Sequence, residues 1–177
     1  TGKVKARGCA DGRPQREYIG KEESSSPTVS IYALMAMCAI NSIENRHVVT
    51  CDIPGAFLQA QWPKDKPTYL RFDGVMVDML CEIDSSLKKR VVYTKNGHKF
   101  MYGMLNKAVY GTLLGAILFY EKLATQLHKW DYIMNPYDSC TFNKMVNGKQ
   151  ITDQFFIDDL HISCENRAEI DKLIHDL

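Results

Sequence analysis

The pair Asn147-Gly148 divides the stretch CTFNKMVNGKQITDQFFI into two halves, each rich in residues that favour β-strands. An Asn-Gly pair between two such runs is a strong hairpin signal, because both residues accept the positive φ angles that a tight turn requires. The chain is therefore constrained to an antiparallel strand pair near its C-terminal end. The same arrangement around Asn96-Gly97, in RVVYTKNGHKFMY, predicts a second hairpin.

Three segments predict helices. Between the hairpins, LGAILFYEKLATQLHKW places its apolar residues at helical spacing on one face: Ala116, Phe119, Tyr120, Leu123 and Leu127. Asn166, with Glu169 three residues later, predicts the start of a last helix. Ser26 or Ser30 can cap an earlier helix that runs to about residue 44. Its stretch IYALMAMCAI is too short to span a bilayer and predicts a buried core helix.

The remaining segments complete the fold prediction. HVVTCDI, at 47–53, predicts a strand that ends before Pro54-Gly55, and LHISC predicts a returning strand. The basic opening segment, with its Gly and Pro residues, predicts a β-hairpin or loop that ends near KEESSSP. Because helices alternate with hairpins, the sequence predicts an α+β fold with an antiparallel sheet backed by helices.

Composition narrows the class of protein. The chain has 177 residues, a hydrophobic fraction of 45% and a net charge of +1, which suits one folded domain or a compact part of a larger one. The six cysteines show no zinc spacing, so we interpret them as reduced core thiols of an intracellular protein. The five histidines are dispersed, and none is assigned chemistry. Basic residues cluster in the first 21 positions and in KKR at 88–90, as either a solvated face or a phosphate contact.

Two aspartates interrupt the apolar run FFIDDLHIS. Asp158 and Asp159 are explained either by a hairpin turn, where Asp is favoured, or by a bound cation. Asp52 lies at the end of the predicted strand 47–53. If the strands that carry these acids are neighbours in one sheet, three carboxylates converge, and such a cluster of hard oxygen ligands suits Mg²⁺.

Six blocks of the sequence then occur in a recognisable order. They are KARG, SSPTVS before an apolar helix, CDIPGAFLQA, LNKAVYGTLLGAILFY, NPYDSCTFNK and FFIDDLHIS. In this order and spacing the chain resembles the reverse transcriptase of copia-type LTR retrotransposons, the RNA-dependent DNA polymerase domain of the pol polyprotein. The resemblance covers residues 3 to 177 and implies part of the fingers and most of the palm of such an enzyme.

The resemblance implies a catalytic site with two Mg²⁺ ions, for which Mn²⁺ is a substitute. Asp52 would be the first catalytic aspartate and a metal ligand, with the carbonyl of Ile53 as a further ligand. Asp158 would supply the second essential carboxylate, and Asp159 a supporting one.

The resemblance also implies a site for the deoxynucleotide. Phe57 matches an aromatic position that rejects a 2′-hydroxyl, although the sequence alone favours a core aromatic. Tyr110 and Gly111 match a turn over the incoming nucleotide, and a glycine-mediated helix entry is an alternative. Arg7, with Lys5 as a weaker candidate, matches a residue that grips the triphosphate, for which a guanidinium is well suited.

The chain departs from the family pattern at several positions. Asp11 stands where many copia-type enzymes have a basic residue, and TLLGAI follows Gly111 where they carry LKQAPR. Phe156 replaces the common Tyr and would lie beside the primer end. We expect residues 1–46 to form a fingers-side segment and residues 47–177 to form mainly palm with inserted fingers elements, without a thumb or RNase H domain.

The resemblance predicts an RNA-directed DNA polymerase that acts in the cytoplasm, inside a virus-like particle in an intact element. Its partners would be an RNA or DNA template with primer, a dNTP, and the thumb, RNase H and integrase domains of the polyprotein, with no membrane contact. An inactive or domesticated palm-fold relic that binds nucleic acid is the main alternative. A non-polymerase α+β metal-binding domain is a third.

Overall fold

The structure of the protein is a computed structural model, and residues 8–177 are the part of the chain that it describes. The predicted nucleotide-binding residues Lys5 and Arg7 lie outside the described residues. The chain divides into two compact units. The described part of the first unit comprises residues 8–60 and 108–177, and the second unit is Gln61–Lys107.

Helices and strands alternate along the described chain. The helices are α1 (Lys21–Ser24), α2 (Ile31–Ile43), α3 (Ala56–Gln59), α4 (Val75–Ile83), α5 (Gly115–Lys129) and α6 (Arg167–Asp176). The strands are β1 (His47–Asp52), β2 (Tyr69–Asp73), β3 (Val92–Tyr93), β4 (Lys99–Met104), β5 (Ile133–Asn135), β6 (Asp138–Val146), β7 (Lys149–Phe156) and β8 (Asp159–Cys164). Short 3₁₀ helices lie at Arg13–Glu17 and Ser85–Arg90.

The first unit is built on a five-stranded antiparallel sheet in the order β1-β8-β7-β6-β5. Asn147 and Gly148 form the turn between β6 and β7 at φ angles of 51° and 77°. Both values lie in the left-handed region that an Asn-Gly hairpin turn uses. The strand pair predicted from this dipeptide is confirmed.

Helices α5 and α6 cover one face of this sheet. The Phe142 and Phe155 rings stack 5.8 Å apart between centroids, and Tyr120 and His128 of α5 contact them. Burial of this apolar surface is the main force that holds the two layers together. The α+β fold class and the helix at 115–129 are confirmed.

Helix α2 begins where the sequence predicts, because the Ser30 hydroxyl accepts a hydrogen bond from the Ala33 N–H at 3.1 Å. The interpretation of this segment as a buried core helix is wrong. Only Met37 and Asn41 are buried, and the large apolar residues that face outward are exposed: Ile31, Tyr32, Met35, Ile40 and Ile43. Hydrophobicity alone does not determine burial, which depends on what packs against the helix.

Two further sequence predictions are only partly right. Of the two alternatives for the opening segment, a β-hairpin or a loop, the hairpin is wrong for residues 8–30, which contain the 3₁₀ helix and α1 but no strand. Pro14, early in the 3₁₀ helix, has no N–H to donate to a strand partner and favours a turn. All six cysteines are free thiols, but Cys9 and Cys38 are exposed rather than in the core.

The second unit contains the three-stranded antiparallel sheet β2-β4-β3 and the helix α4. The β3–β4 connection contains Asn96 and Gly97, with Gly97 at φ 78°, which confirms the second predicted hairpin. Helix α4 contacts β2 and β4, with Val77 and Met101 buried.

No helix among residues 8–177 is long and apolar enough to cross a membrane. The division of the chain into a fingers-side segment at 1–46 and a mainly palm segment at 47–177 stays a prediction.

Candidate functional site

Strand pairing brings two of the predicted acidic residues together. Strand β1 lies beside β8, and their antiparallel register places Asp52 directly opposite Asp159. Residues opposite each other on neighbouring strands have their Cβ atoms about 5 Å apart and point to the same face of the sheet. The strands that carry Asp52 and Asp159 are therefore neighbours in one sheet, which meets the condition for these two carboxylates to converge.

Asp158 lies in the two-residue turn that joins β7 to β8. The preceding turn residue, Ile157, has a φ of 61°, which a β-branched side chain rarely adopts. The carbonyl of Asp158 accepts a hydrogen bond from the Ile53 N–H at 3.2 Å, and the Ile53 carbonyl accepts one from Ala56 at 3.1 Å. The hairpin-turn explanation correctly locates Asp158, and this turn is attached to the end of β1.

Two of the predicted nucleotide-site residues form a contact chain with Asp158. The Tyr110 hydroxyl donates a hydrogen bond to Asp158 Oδ2 at 3.1 Å. The Tyr110 ring stacks on Phe57, with centroids 4.3 Å apart and planes 16° from parallel. Phe57 is buried and also contacts Phe119 of α5, so it packs as a core aromatic. Its predicted role against a 2′-hydroxyl stays a prediction.

Gly111 lies where two backbone segments approach closely. Its φ is 85°, and a Cβ at this position would lie 2.0 Å from the Ala10 carbonyl oxygen. The Ala10 N–H donates to the Tyr110 carbonyl at 2.7 Å. Only glycine fits this position, and the contact holds residue 10 against the Tyr110-Gly111 turn.

The acidic pair borders an open cavity of about 760 Å³ between the sheet and the start of α2. Asp52, Asp159 and the half-exposed Phe156 line it from the sheet, and Ile31 and Leu34 line it from α2. The cavity is on the face of the sheet opposite α5 and α6. It leaves room for a substrate beside the acids.

Two residues of this cavity were missed by sequence reasoning. Gln154 and His161 are cross-strand partners on β7 and β8, and Gln154 Oε1 and His161 Nδ1 are buried without a hydrogen-bond partner in the described chain. Because side chains alternate along a strand, Gln154 lies on the same face as Phe156, and His161 lies on the same face as Asp159. The sequence reveals that all four share one face only once the register of the strands is known. Burial lowers the pKa of His161, so its neutral form is favoured.

A third missed residue is Asp153, in the middle of β7. It is fully buried, and neither carboxylate oxygen has a hydrogen-bond partner in the described part of the chain. Burial raises its pKa to about 7. Burial, and secondarily the charge of Asp153, also raises the pKa of the nearby Cys51 thiol.

The donor atoms at the edge of the sheet fit a hard cation in their chemistry. Carboxylate and carbonyl oxygens of Asp52, Ile53, Asp158 and Asp159 are the ligand types that Mg²⁺ prefers. Residues 8–177 contain no group of three or more acidic, His or Cys side chains placed to hold a metal ion. The gathering of all three carboxylates around a metal therefore stays a prediction.

Comparisons with known proteins identify a family match. Residues 1–177 match the family model described as reverse transcriptase (RNA-dependent DNA polymerase). No curated protein and no solved structure matches the chain.

Proposed function

The chain belongs to the reverse transcriptase family, and from this premise we propose that it joins deoxynucleotides to a primer 3′ end as the polymerase of a copia-type LTR retrotransposon. The single observation that best supports the proposal is the register that sets Asp52 opposite Asp159, with Asp158 in the turn between β7 and β8. Two distant segments of the sequence thereby supply acids to one edge of one sheet.

Asp52, Asp158 and Asp159, with the Ile53 carbonyl, would hold two Mg²⁺ ions. Bound there, the ions would activate the 3′-hydroxyl of the primer and stabilise charge on the leaving pyrophosphate. The Tyr110 hydroxyl orients Asp158, because it donates to one carboxylate oxygen and leaves the other available. The tight Gly111 turn in turn holds Tyr110 in place.

The primer end and the deoxynucleotide would enter the cavity beside Asp52. Phe156 is half-exposed at its wall, where its ring can pack against the terminal base of the primer. Phe57 lies beneath Tyr110 and would limit the space available to the sugar. Arg7 and Lys5 would bind the triphosphate, as the family resemblance implies.

Primer extension tests the proposal directly. The wild-type chain is incubated with an RNA template, a labelled DNA primer, dNTPs and Mg²⁺, and extension is compared with that of Asp52→Asn and Asp158→Asn. Each substitution removes one negative charge without changing side-chain size, so we expect extension to fall at least about a hundredfold.

Asp131→Asn is the matched control. Asp131 is exposed and lines a groove together with Asn147, so it lies near the end of β7 that is distant from Phe156. Its replacement should leave extension unchanged. Extension that survives Asp158→Asn would contradict the proposed site, and a folded wild-type chain that binds nucleic acid without extending a primer would favour the inactive relic.

A further inference from the structure

One face of the second unit's sheet is not covered by α4. The strand register places Tyr69 opposite Met104, and Arg71 opposite Tyr102. Phe100, two residues before Tyr102, shares their face. Helix α4 covers the opposite face, where Val77 and Met101 are buried and Lys99 forms an ion pair with Asp78 of α4. We call the uncovered surface of Tyr69, Arg71, Phe100, Tyr102 and Met104 the aromatic face.

The aromatic face exposes flat rings to solvent. Tyr69 is 59% exposed and Tyr102 is 54% exposed. Phe100 meets Tyr102 edge to face, with centroids 5.6 Å apart, and the Arg71 guanidinium lies over the Phe100 ring at 4.7 Å. These contacts fix the orientation of Tyr102 and Arg71 while Tyr69 and Tyr102 keep surface available for a ligand.

The charge of the second unit favours an anionic ligand. Residues 61–107 contain nine Lys and Arg against five Asp and Glu, a net charge of +4, whereas the whole chain is only +1. Arg71 is paired with Asp73 at 2.8 Å, so the face itself is close to neutral. The exposed cations Lys88, Lys89 and Arg90 lie one residue before β3, the strand at one edge of this sheet.

We propose that the aromatic face binds the unpaired bases of single-stranded nucleic acid by stacking, while the surrounding cations contact its phosphates. Tyr69 and Tyr102 are diagonal neighbours on adjacent strands, about 7–8 Å apart, so successive bases of an extended strand can each meet one ring. Net positive charge favours this ligand over an apolar protein surface. The choice of nucleic acid rests on the proposed function, although the binding itself needs neither metal nor nucleotide.

Fluorescence anisotropy with the whole chain tests this site in the absence of divalent metal. One labelled ligand is a thymidine oligomer of about twenty nucleotides, and the second has the same backbone with abasic sugars. We expect Tyr69→Ala/Tyr102→Ala to weaken binding of the thymidine oligomer about tenfold or more. Binding of the abasic oligomer should change less than about twofold, because it has no bases that can stack on the tyrosine rings.

Tyr137→Ala is the control, since Tyr137 is an exposed tyrosine of the first unit and lies outside this sheet. It should change neither affinity. Tyr69→Phe/Tyr102→Phe keeps both rings and should retain binding, and circular dichroism checks that each variant is folded.

Several results would overturn the proposal. One is a failure of the wild type to bind, another is equal affinity of the wild type for both oligomers, and a third is an equal loss of affinity in the alanine and control variants. Self-association of the wild type that the double alanine variant abolishes would also overturn it, because that result would assign the face to a second copy of the chain. If the wild-type chain binds the thymidine oligomer but does not extend a primer, that result counts against the proposed polymerase function and not against this binding site.

Discussion

At the scale of single residues, Asp153 is the least expected feature of the first unit. Its carboxyl group is enclosed in the sheet, close enough to Cys51 and Tyr132 that its charge helps to raise their pKa values. Burial raises its own pKa from 3.8 to about 7. Between these values the folded state binds a proton at Asp153 that the unfolded state lacks. The contribution of Asp153 to stability is therefore largest at low pH and falls as pH rises towards 7, by up to about 1.4 kcal/mol per pH unit.

Asp153→Asn should remove this pH dependence, because the amide keeps the shape of the protonated acid and does not ionise. We expect the variant to resemble the wild type near pH 4 and to exceed its free energy of unfolding by roughly 1–4 kcal/mol at pH 8. Urea denaturation at a series of pH values measures the effect. Asp131 is exposed and has a φ of 63°, so Asp131→Asn should at most shift the curve by a constant amount and run parallel to the wild type. Parallel curves for Asp153→Asn and wild type would show that the pKa of Asp153 is not raised in the folded state.

At the scale of elements, the β7–β8 hairpin stores backbone strain beside the candidate site. Ile157 has a φ of 61° and is the first residue of a two-residue turn. Glycine is the residue usually found at this position when φ is positive. Such a conformation costs on the order of 1–3 kcal/mol for a β-branched residue. Ile157→Gly should therefore raise the free energy of unfolding by about 1 kcal/mol, after the entropy cost of glycine is subtracted.

Ile133→Gly provides the comparison for this prediction. Ile133 is an exposed isoleucine on β5 and is not among the residues with positive φ, so glycine there should destabilise the protein by roughly 0.5–1 kcal/mol. Thermal unfolding of both variants shows whether each substitution raises or lowers the free energy of unfolding. Equal destabilisation by both substitutions would mean that the turn at Ile157 is not strained.

The elements that could be predicted from sequence are those that local chemistry specifies. Asn147-Gly148 determines its hairpin through φ angles, and Ser30 starts α2 through one hydrogen bond. The exposure of α2 could not be predicted, nor could the atoms of Gln154 and His161 that find no hydrogen-bond partner within residues 8–177, because both depend on which distant segments pack together. The candidate site was predicted in part. The sequence identified its aspartates, but it did not show that Asp52 lies opposite Asp159, because that depends on the register of two strands more than a hundred residues apart.

At the scale of the whole molecule, the two units differ in charge as well as in fold. The second unit carries +4 and the rest of the chain −3, although the total is only +1. The acids at the end of β1 and the start of β8 therefore belong to a unit that carries excess negative charge. Long-range repulsion should weaken these acids' contribution to folding and favour the uptake of cations.

Magnesium should consequently stabilise the whole fold through the acidic edge. A ligand that binds only the folded state at ten times its dissociation constant adds about 1.4 kcal/mol, which for a chain of this length raises the melting temperature by roughly 3–6 °C. We expect this shift in the wild type and in Asp131→Asn, and its loss in Asp52→Asn and Asp158→Asn. Thermal melts with Mg²⁺ and with EDTA measure it without reference to activity.

The melts in EDTA separate a metal site from a structural turn. Without a cation, Asp52 and its neighbours repel each other, so Asp52→Asn and Asp158→Asn should be as stable as the wild type or slightly more stable. In the Asp158→Asn variant the new amide oxygen would still accept a hydrogen bond from the Tyr110 hydroxyl, which keeps the contact to the stacked Phe57 ring. Unfolding of Asp158→Asn in EDTA would show that the carboxylate is needed for the turn, and equal Mg²⁺ shifts in all variants would place the cation elsewhere.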